Sequence, residues 1–129
     1  MDRILLVALG GAIGSVLRYL TSVTAAFWFG VEFPYGTLIV NLVGAFLIGL
    51  IQELGAESLV LSDNTRLLLT TGVMGGLTTY STFSYETVRL MEARAWHYAV
   101  ANVVVTTVAC LALCVLGMAA GRYVLGARG

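Results

Sequence analysis

Apolar residues run along this chain in long stretches, and the charged positions mark where they stop. Uncharged runs occupy positions 4 to 17, 19 to 31, 33 to 52, 67 to 85 and 98 to 121. A helix needs about 20 mostly apolar residues to cross a bilayer. Each of the last three runs therefore predicts one span, and the first two together predict a fourth with Arg18 inside it. The expected elements are helices at about 4–28, 35–54, 66–91 and 97–124, an all-α integral membrane protein forming a single transmembrane domain over 1–129. Pro34, the sole proline, fits the first turn of the second helix. The rings of Trp28, Phe29, Tyr35, Trp96 and Tyr98 flank the first and last loops, where amphipathic aromatics favour the membrane interface. The longest connection runs from Glu53 to Asn64 and gathers Glu53, Glu57 and Asp63. The alternation over about ten residues that marks a membrane β-strand is absent.

Composition sharpens this picture. The 129 residues are 59% hydrophobic and 11% charged, with a mean hydropathy of +0.93, whereas a soluble domain carries about 25% charged residues. No room is left for a water-soluble catalytic domain beside the spans. A cleavable signal peptide is the competing reading of the N-terminus, but Gly10, Gly11, Gly14 and Arg18 interrupt the apolar core it needs.

Arginine carries all the positive side-chain charge apart from His97. Four spans put Arg3, Arg66, Arg122 and Arg128 on one side and Arg18, Arg89 and Arg94 on the other, four against three with no lysine. So even a count gives the positive-inside rule little to act on, and a chain that inserts both ways can pair with an inverted copy of itself as a two-fold dimer. The alternative is that Arg3 and Arg66 suffice for one orientation. Small residues recur at four-residue spacing in every helix, as Gly10 and Gly14, Ala45 and Gly49, Gly72 and Gly76, Gly117 and Gly121. Such pairs let lipid-immersed backbones approach closely.

Polar groups inside a span cost free energy and are candidates for function. Arg18 is either a snorkelling arginine at the surface or a fixed positive charge at the mouth of an aqueous vestibule. Asn41 needs partners at its depth, either on a neighbouring helix or in an anion that its N–H donors solvate without a trapping charge. Thr37 lies one turn earlier and is placed to line one groove with Asn41.

The segment GGLTTYSTFS, residues 75–84, packs two glycines and six hydroxyl side chains into the third run. Glycine weakens a helix, and serine and threonine satisfy the backbone groups that a break frees. An interruption around Gly75 is expected, with free carbonyls near Gly75 and Thr78 suited to a hard cation such as sodium. Beyond it, Tyr80 and Phe83 share a face, as do Ser81 and Ser84, so electropositive ring edges and hydroxyl donors flank one path. A glycine and threonine packing face with space-filling aromatics is the competing reading. Glu86 is either an intramembrane carboxylate or an interfacial group paired with Arg89 or Arg94. Asn102, Thr106, Cys110 and Cys114 trace one stripe along the last helix. Two cysteines one turn apart are too few for zinc and are expected to be inert thiols. His97 reads as an interfacial residue, and catalysis finds no support.

Three motifs then carry a resemblance over essentially the whole chain: GGAIGSVLRY at 10–19, GTLIVNLVGAFLIG at 36–49 and GVMGGLTTYSTFSYET at 72–87. In this order and at this length they resemble the Fluc (CrcB) fluoride channel family. The resemblance implies an antiparallel, dual-topology homodimer in the inner (plasma) membrane, passively exporting fluoride through two narrow pores along the subunit interface. It implies a central structural sodium ion on the backbone carbonyls of Gly75 and Thr78 from both subunits. The family's pore phenylalanines map onto Tyr80 and Phe83, its pore asparagine onto Asn41 and its motif arginine onto Arg18. Its hydroxyl row maps onto Thr37, Ser81, Thr82 and Ser84, with Thr106 and Cys110 in the last helix, and Glu86 matches a motif glutamate. Tyr80 departs from the more usual phenylalanine, and Asn102 and Cys110 stand where relatives often carry tyrosine and serine. Fluoride rather than chloride follows from the resemblance alone. Two other classes compete: a small proton-coupled multidrug transporter, whose carboxylate here is Glu86, and a noncatalytic assembly subunit.

Overall fold

The computed structural model describes residues 2–56 and 60–128, so Glu57 lies outside the described residues. Helix α1 spans Arg3–Phe29. The Asp2 side chain starts it by accepting the Ile4 N–H at 2.9 Å, and Gly30, at φ 85°, stops it. Helix α2 spans Tyr35–Gly55. Pro34 sits one position outside its first turn, where its carbonyl accepts the Leu38 N–H at 3.2 Å. Arg66 reaches back from the third segment to donate to the Gly55 carbonyl at the end of α2.

The third hydrophobic segment is not one helix. It opens with α3 (Asp63–Leu67), widens into a seven-residue π-helical stretch over Leu68–Met74 and closes with the single turn α4 (Gly75–Leu77). Thr78 and Thr79 are extended, and α5 (Tyr80–Glu92) then resumes. The break therefore falls three residues beyond Gly75, which keeps ordinary helical angles (φ −59°, ψ −39°). Glycine lowers helix propensity but does not by itself unwind a turn that neighbouring helices hold. A tight turn with Arg94 in the left-handed region leads to α6 (Trp96–Arg128). Three helices, α1, α2 and α6, are long and apolar enough to cross a membrane. Among the described residues there is no β-strand.

Glycine decides which helices meet. A Cβ added to Gly10 would lie 2.6 Å from the Leu68 carbonyl oxygen and 2.7 Å from the Gly72 Cα, and one added to Gly76 would lie 2.5 Å from the Gly11 carbonyl oxygen. Only hydrogen fits there, so α1 and the third segment touch backbone to backbone. The second pair is α2 with α6: a Cβ on Gly49 would come within 2.5 Å of the Cys114 carbonyl, and one on Gly117 would strike the Phe46 carbonyl. Arg122 closes that pair, 3.1 Å from Glu53. A small core of Val40, Ile51, Met74 and Leu77 lies where the two pairs join. The long rows of exposed leucine and valine on α1 and α6 are surface that a bilayer solvates at no cost. The molecule is a helical membrane protein.

Candidate functional site

Asn41 holds the break open. Its Oδ1 accepts the Thr79 N–H at 2.9 Å while its Nδ2 donates to the Thr79 carbonyl at 3.1 Å. A side-chain amide thus replaces the partners that a continuing helix would give this residue. In such a helix the Thr79 N–H would close on the Gly75 carbonyl four residues back. The Thr82 N–H likewise goes to Thr79 Oγ1 at 3.1 Å, capping α5. Carbonyls at Gly75 and Thr78 are left without these helical donors, and N–H groups gather at the start of α5. Gly44, one turn after Asn41, makes room for the extended pair, since a Cβ there would collide with Thr78 Cγ2.

Beside the break lies an open groove of about 370 Å³, lined by Asn41, Thr78, Tyr80, Phe83, Thr106 and Cys110 among others. None of its lining residues carries a charge. Tyr80 and Phe83 stand 5.7 Å apart between ring centroids with planes inclined at 55°, but they differ sharply in exposure, 81% for Tyr80 against 9% for Phe83. Most hydroxyls near this path already donate inward. Thr78 Oγ1 donates to the Met74 carbonyl, Ser84 Oγ to the Tyr80 carbonyl and Thr79 Oγ1 to Thr82 Oγ1. Ser81 Oγ lies 3.3 Å from Thr79 Oγ1.

The other predicted site residues lie elsewhere. Thr37 does not share the groove of Asn41: it lines a separate cavity of about 130 Å³ with Ser22 and Glu86, and its hydroxyl donates to the Glu86 carboxylate. Glu86 is therefore not paired with Arg89 or Arg94. Arg89 instead meets Glu92 at 3.1 Å. Of the two readings of Glu86, the arginine pairing is the one that does not hold, because α2 brings Thr37, 49 residues away in sequence, alongside the carboxylate. Arg18 is half-exposed, lines neither cavity and forms no ion pair among the described residues. Gly75 lies on the exposed surface of the chain.

The family described as "CrcB-like protein, Camphor Resistance (CrcB)" matches residues 5–118. The chain is 49% identical over 125 residues to a protein of Sorangium cellulosum named fluoride-specific ion channel FluC, covering 97% of this chain and 98% of that one. Relatives of the same name from Citrifermentans bemidjiense and Clostridium perfringens are each 48% identical, over 122 residues (95% and 98% of the two chains) and 118 residues (92% of each). The chain belongs to the CrcB family.

In this CrcB-family chain the three sequence motifs come together: GTLIVNLVG supplies Asn41 and Gly44, GGLTTYSTFS supplies the break and rings, and GGAIG packs behind. The relatives are named as ion channels, in keeping with a sequence that offers no catalytic constellation. Among the described residues no three His, Cys, Asp or Glu side chains gather to hold a metal. Main-chain oxygen is what the break offers, and carbonyls at Gly75 and Thr78 that lack helical donors fit a hard monovalent cation.

Sequence reading passed over Thr87. The residue is 5% exposed and its hydroxyl accepts from Asn102 Nδ2 at 2.9 Å, while Asn102 is 1% exposed and also takes the Thr106 hydroxyl at 3.3 Å. The available signal was Asn102 itself, since an amide at depth in a span must find partners. As a result no buried side-chain nitrogen or oxygen among the described residues lacks a hydrogen bond.

Proposed function

We propose that this CrcB-family chain is a fluoride-selective passive channel that exports fluoride across the inner (plasma) membrane and relieves fluoride toxicity. The observation that carries the proposal is end-to-end identity of 48–49% with relatives named fluoride-specific ion channels, in a chain whose break and groove suit a small anion. Fluoride holds its water tightly, so a path for it must offer several donors without a charge that would trap it. Asn41 spends one Nδ2 hydrogen on Thr79 and keeps the other. Phe83 and Tyr80 present electropositive ring edges, and Ser81, Thr82 and Cys110 offer hydroxyl and thiol donors along α5 and α6, while Ser84 and Thr106, whose hydrogens go to the Tyr80 carbonyl and Asn102 Oδ1, flank the path as fixed wall. In this reading Thr37 and Glu86, in their separate cavity, and Arg18, which lines neither cavity, belong to the approaches to the path, where the Arg18 charge raises the local anion concentration.

The functional unit in this reading is two inverted copies, whose exposed Gly75 surfaces face each other. The Gly75 and Thr78 carbonyls of both copies would hold a sodium ion, which fixes the two breaks against each other. Tyr80, so exposed in one chain, then borders the partner rather than lipid.

The test is efflux from liposomes containing the purified protein, read with fluoride- and chloride-selective electrodes. Rapid fluoride loss with negligible chloride loss is the expected result. Equal loss of both ions, or fluoride retention, would rule the channel reading out. A proton-coupled transporter would require Glu86 to bind and release a proton during each cycle, and dye uptake abolished by Glu86→Gln would favour it instead.

A further inference from the structure

Behind the groove, three buried polar side chains form a hydrogen-bond chain whose direction is fixed by one carbonyl. Thr87 Oγ1 donates to the Phe83 carbonyl at 2.7 Å. A hydroxyl has one hydrogen, so toward α6 Thr87 offers only lone pairs. Asn102 must therefore meet it with Nδ2, which it does at 2.9 Å. That turns Asn102 Oδ1 toward Thr106, whose hydroxyl donates to it at 3.3 Å. The residues at the two ends of this chain, Phe83 on α5 and Thr106 on α6, both line the groove, whereas Asn102 and Thr87 do not.

We propose that Asn102 is a positioning residue: by joining Thr106 to the turn that carries Phe83, it sets the spacing of the two groove walls and with it the preference for fluoride over chloride. The proposal rests on the channel reading above. A small anion is served only if the Phe83 ring edge and the α6 wall stand close enough to touch it together, and a wider path admits a larger ion. Helices in lipid have no hydrophobic drive to close such a gap, so packing and interhelical hydrogen bonds hold it. Asn102 supplies the polar link at this level, and its polarity leaves one arrangement that satisfies all three side chains. A leucine there packs but ties nothing.

The measurement is the ratio of fluoride to chloride efflux in liposomes for the wild type, Thr87→Val, Thr87→Ser, Asn102→Leu and the double variant Thr87→Val/Asn102→Leu. Thr87→Val and Asn102→Leu should each lower the ratio roughly three- to tenfold, the scale of one interhelical hydrogen bond in a bilayer. The double variant should be no worse than the worse single variant, because both break the same chain. Thr87→Ser keeps the hydroxyl and should restore the ratio. Unchanged ratios alongside a lowered unfolding temperature would reduce Asn102 to packing and overturn the proposal, as would additive losses. If Asn102→Leu does not fold, the contrast between Thr87→Val and Thr87→Ser decides alone. A wild type that fails to prefer fluoride sinks the channel reading itself, before any variant is compared.

Discussion

The side chain of Asn41 forms the two hydrogen bonds with the backbone of Thr79, at 2.9 and 3.1 Å, that one strand would form with another. The break in the third hydrophobic segment is thus a tertiary feature, imposed by α2 from 38 residues away.

Asn41→Asp tests this directly. A carboxylate still faces the Thr79 N–H but has nothing to donate to its carbonyl, and it sets a negative charge against the groove. Fluoride efflux should be lost, and stability should fall by about 1–3 kcal/mol, the cost of stranding a buried partner. Efflux electrodes and thermal unfolding in detergent read the two effects separately.

Gly44→Ala should damage the same break from the other side. The new methyl collides with Thr78 Cγ2, and overpacking of this kind costs about 1–3 kcal/mol. Thr78→Ser removes the offending methyl, so Gly44→Ala/Thr78→Ser should recover most of the lost stability and efflux. Failure of that rescue would mean that the clash is not the cause.

Glycines ten and eleven should behave in opposite ways. Gly10→Val separates α1 from the third segment and should lower the unfolding temperature sharply, because neighbouring backbone cannot retreat. Nothing lies within 4 Å of a Cβ on Gly11, so Gly11→Ala should stabilise α1 by about 0.5–1 kcal/mol through helix propensity. Equal effects from the two substitutions would contradict the packing described.

Tyr80→Phe should speed conduction. The Tyr80 hydroxyl has no hydrogen-bond partner among the described residues and the ring is 81% exposed, so this group is free to hold a passing anion. Losing one net hydrogen bond of about 0.5–1.5 kcal/mol corresponds to a rise of roughly two- to tenfold in efflux rate. Phe83→Ile, which removes a buried ring edge, should instead abolish efflux.

Much of this architecture was legible in the residues. The uncharged run at 98–121 lies inside α6 and that at 33–52 enters α2 at Tyr35, and the glycine pairs of α1 and the third segment meet as small-residue spacing implied. An interruption in the third segment was also legible from its glycines and hydroxyls. Its position was not: Gly76 is clamped against Gly11 and stays helical, while Thr79 is drawn out by Asn41. Contacts distant in sequence were likewise hidden. Periodicity put Thr37 and Asn41 on one face, yet the carboxylate of Glu86 claims Thr37 for a different cavity. The stripe on α6 was visible as spacing, but its partner Thr87 sits across the Arg94 turn and no local pattern points to it.

The π-helical stretch at Leu68–Met74 constrains how this segment can evolve. A helix that closes on the fifth residue back turns less per residue than one that closes on the fourth. Deleting a single residue there would let the ordinary form return, and because the tighter winding makes up most of the lost turn, the residues downstream would keep nearly the same facing. The single ordinary turn at Gly75–Leu77 has no such slack. A deletion there would swing Thr79 away from Asn41 by about 100°. The loosely wound stretch is thus where this segment can change its length, and the turn beyond it is where length must be kept.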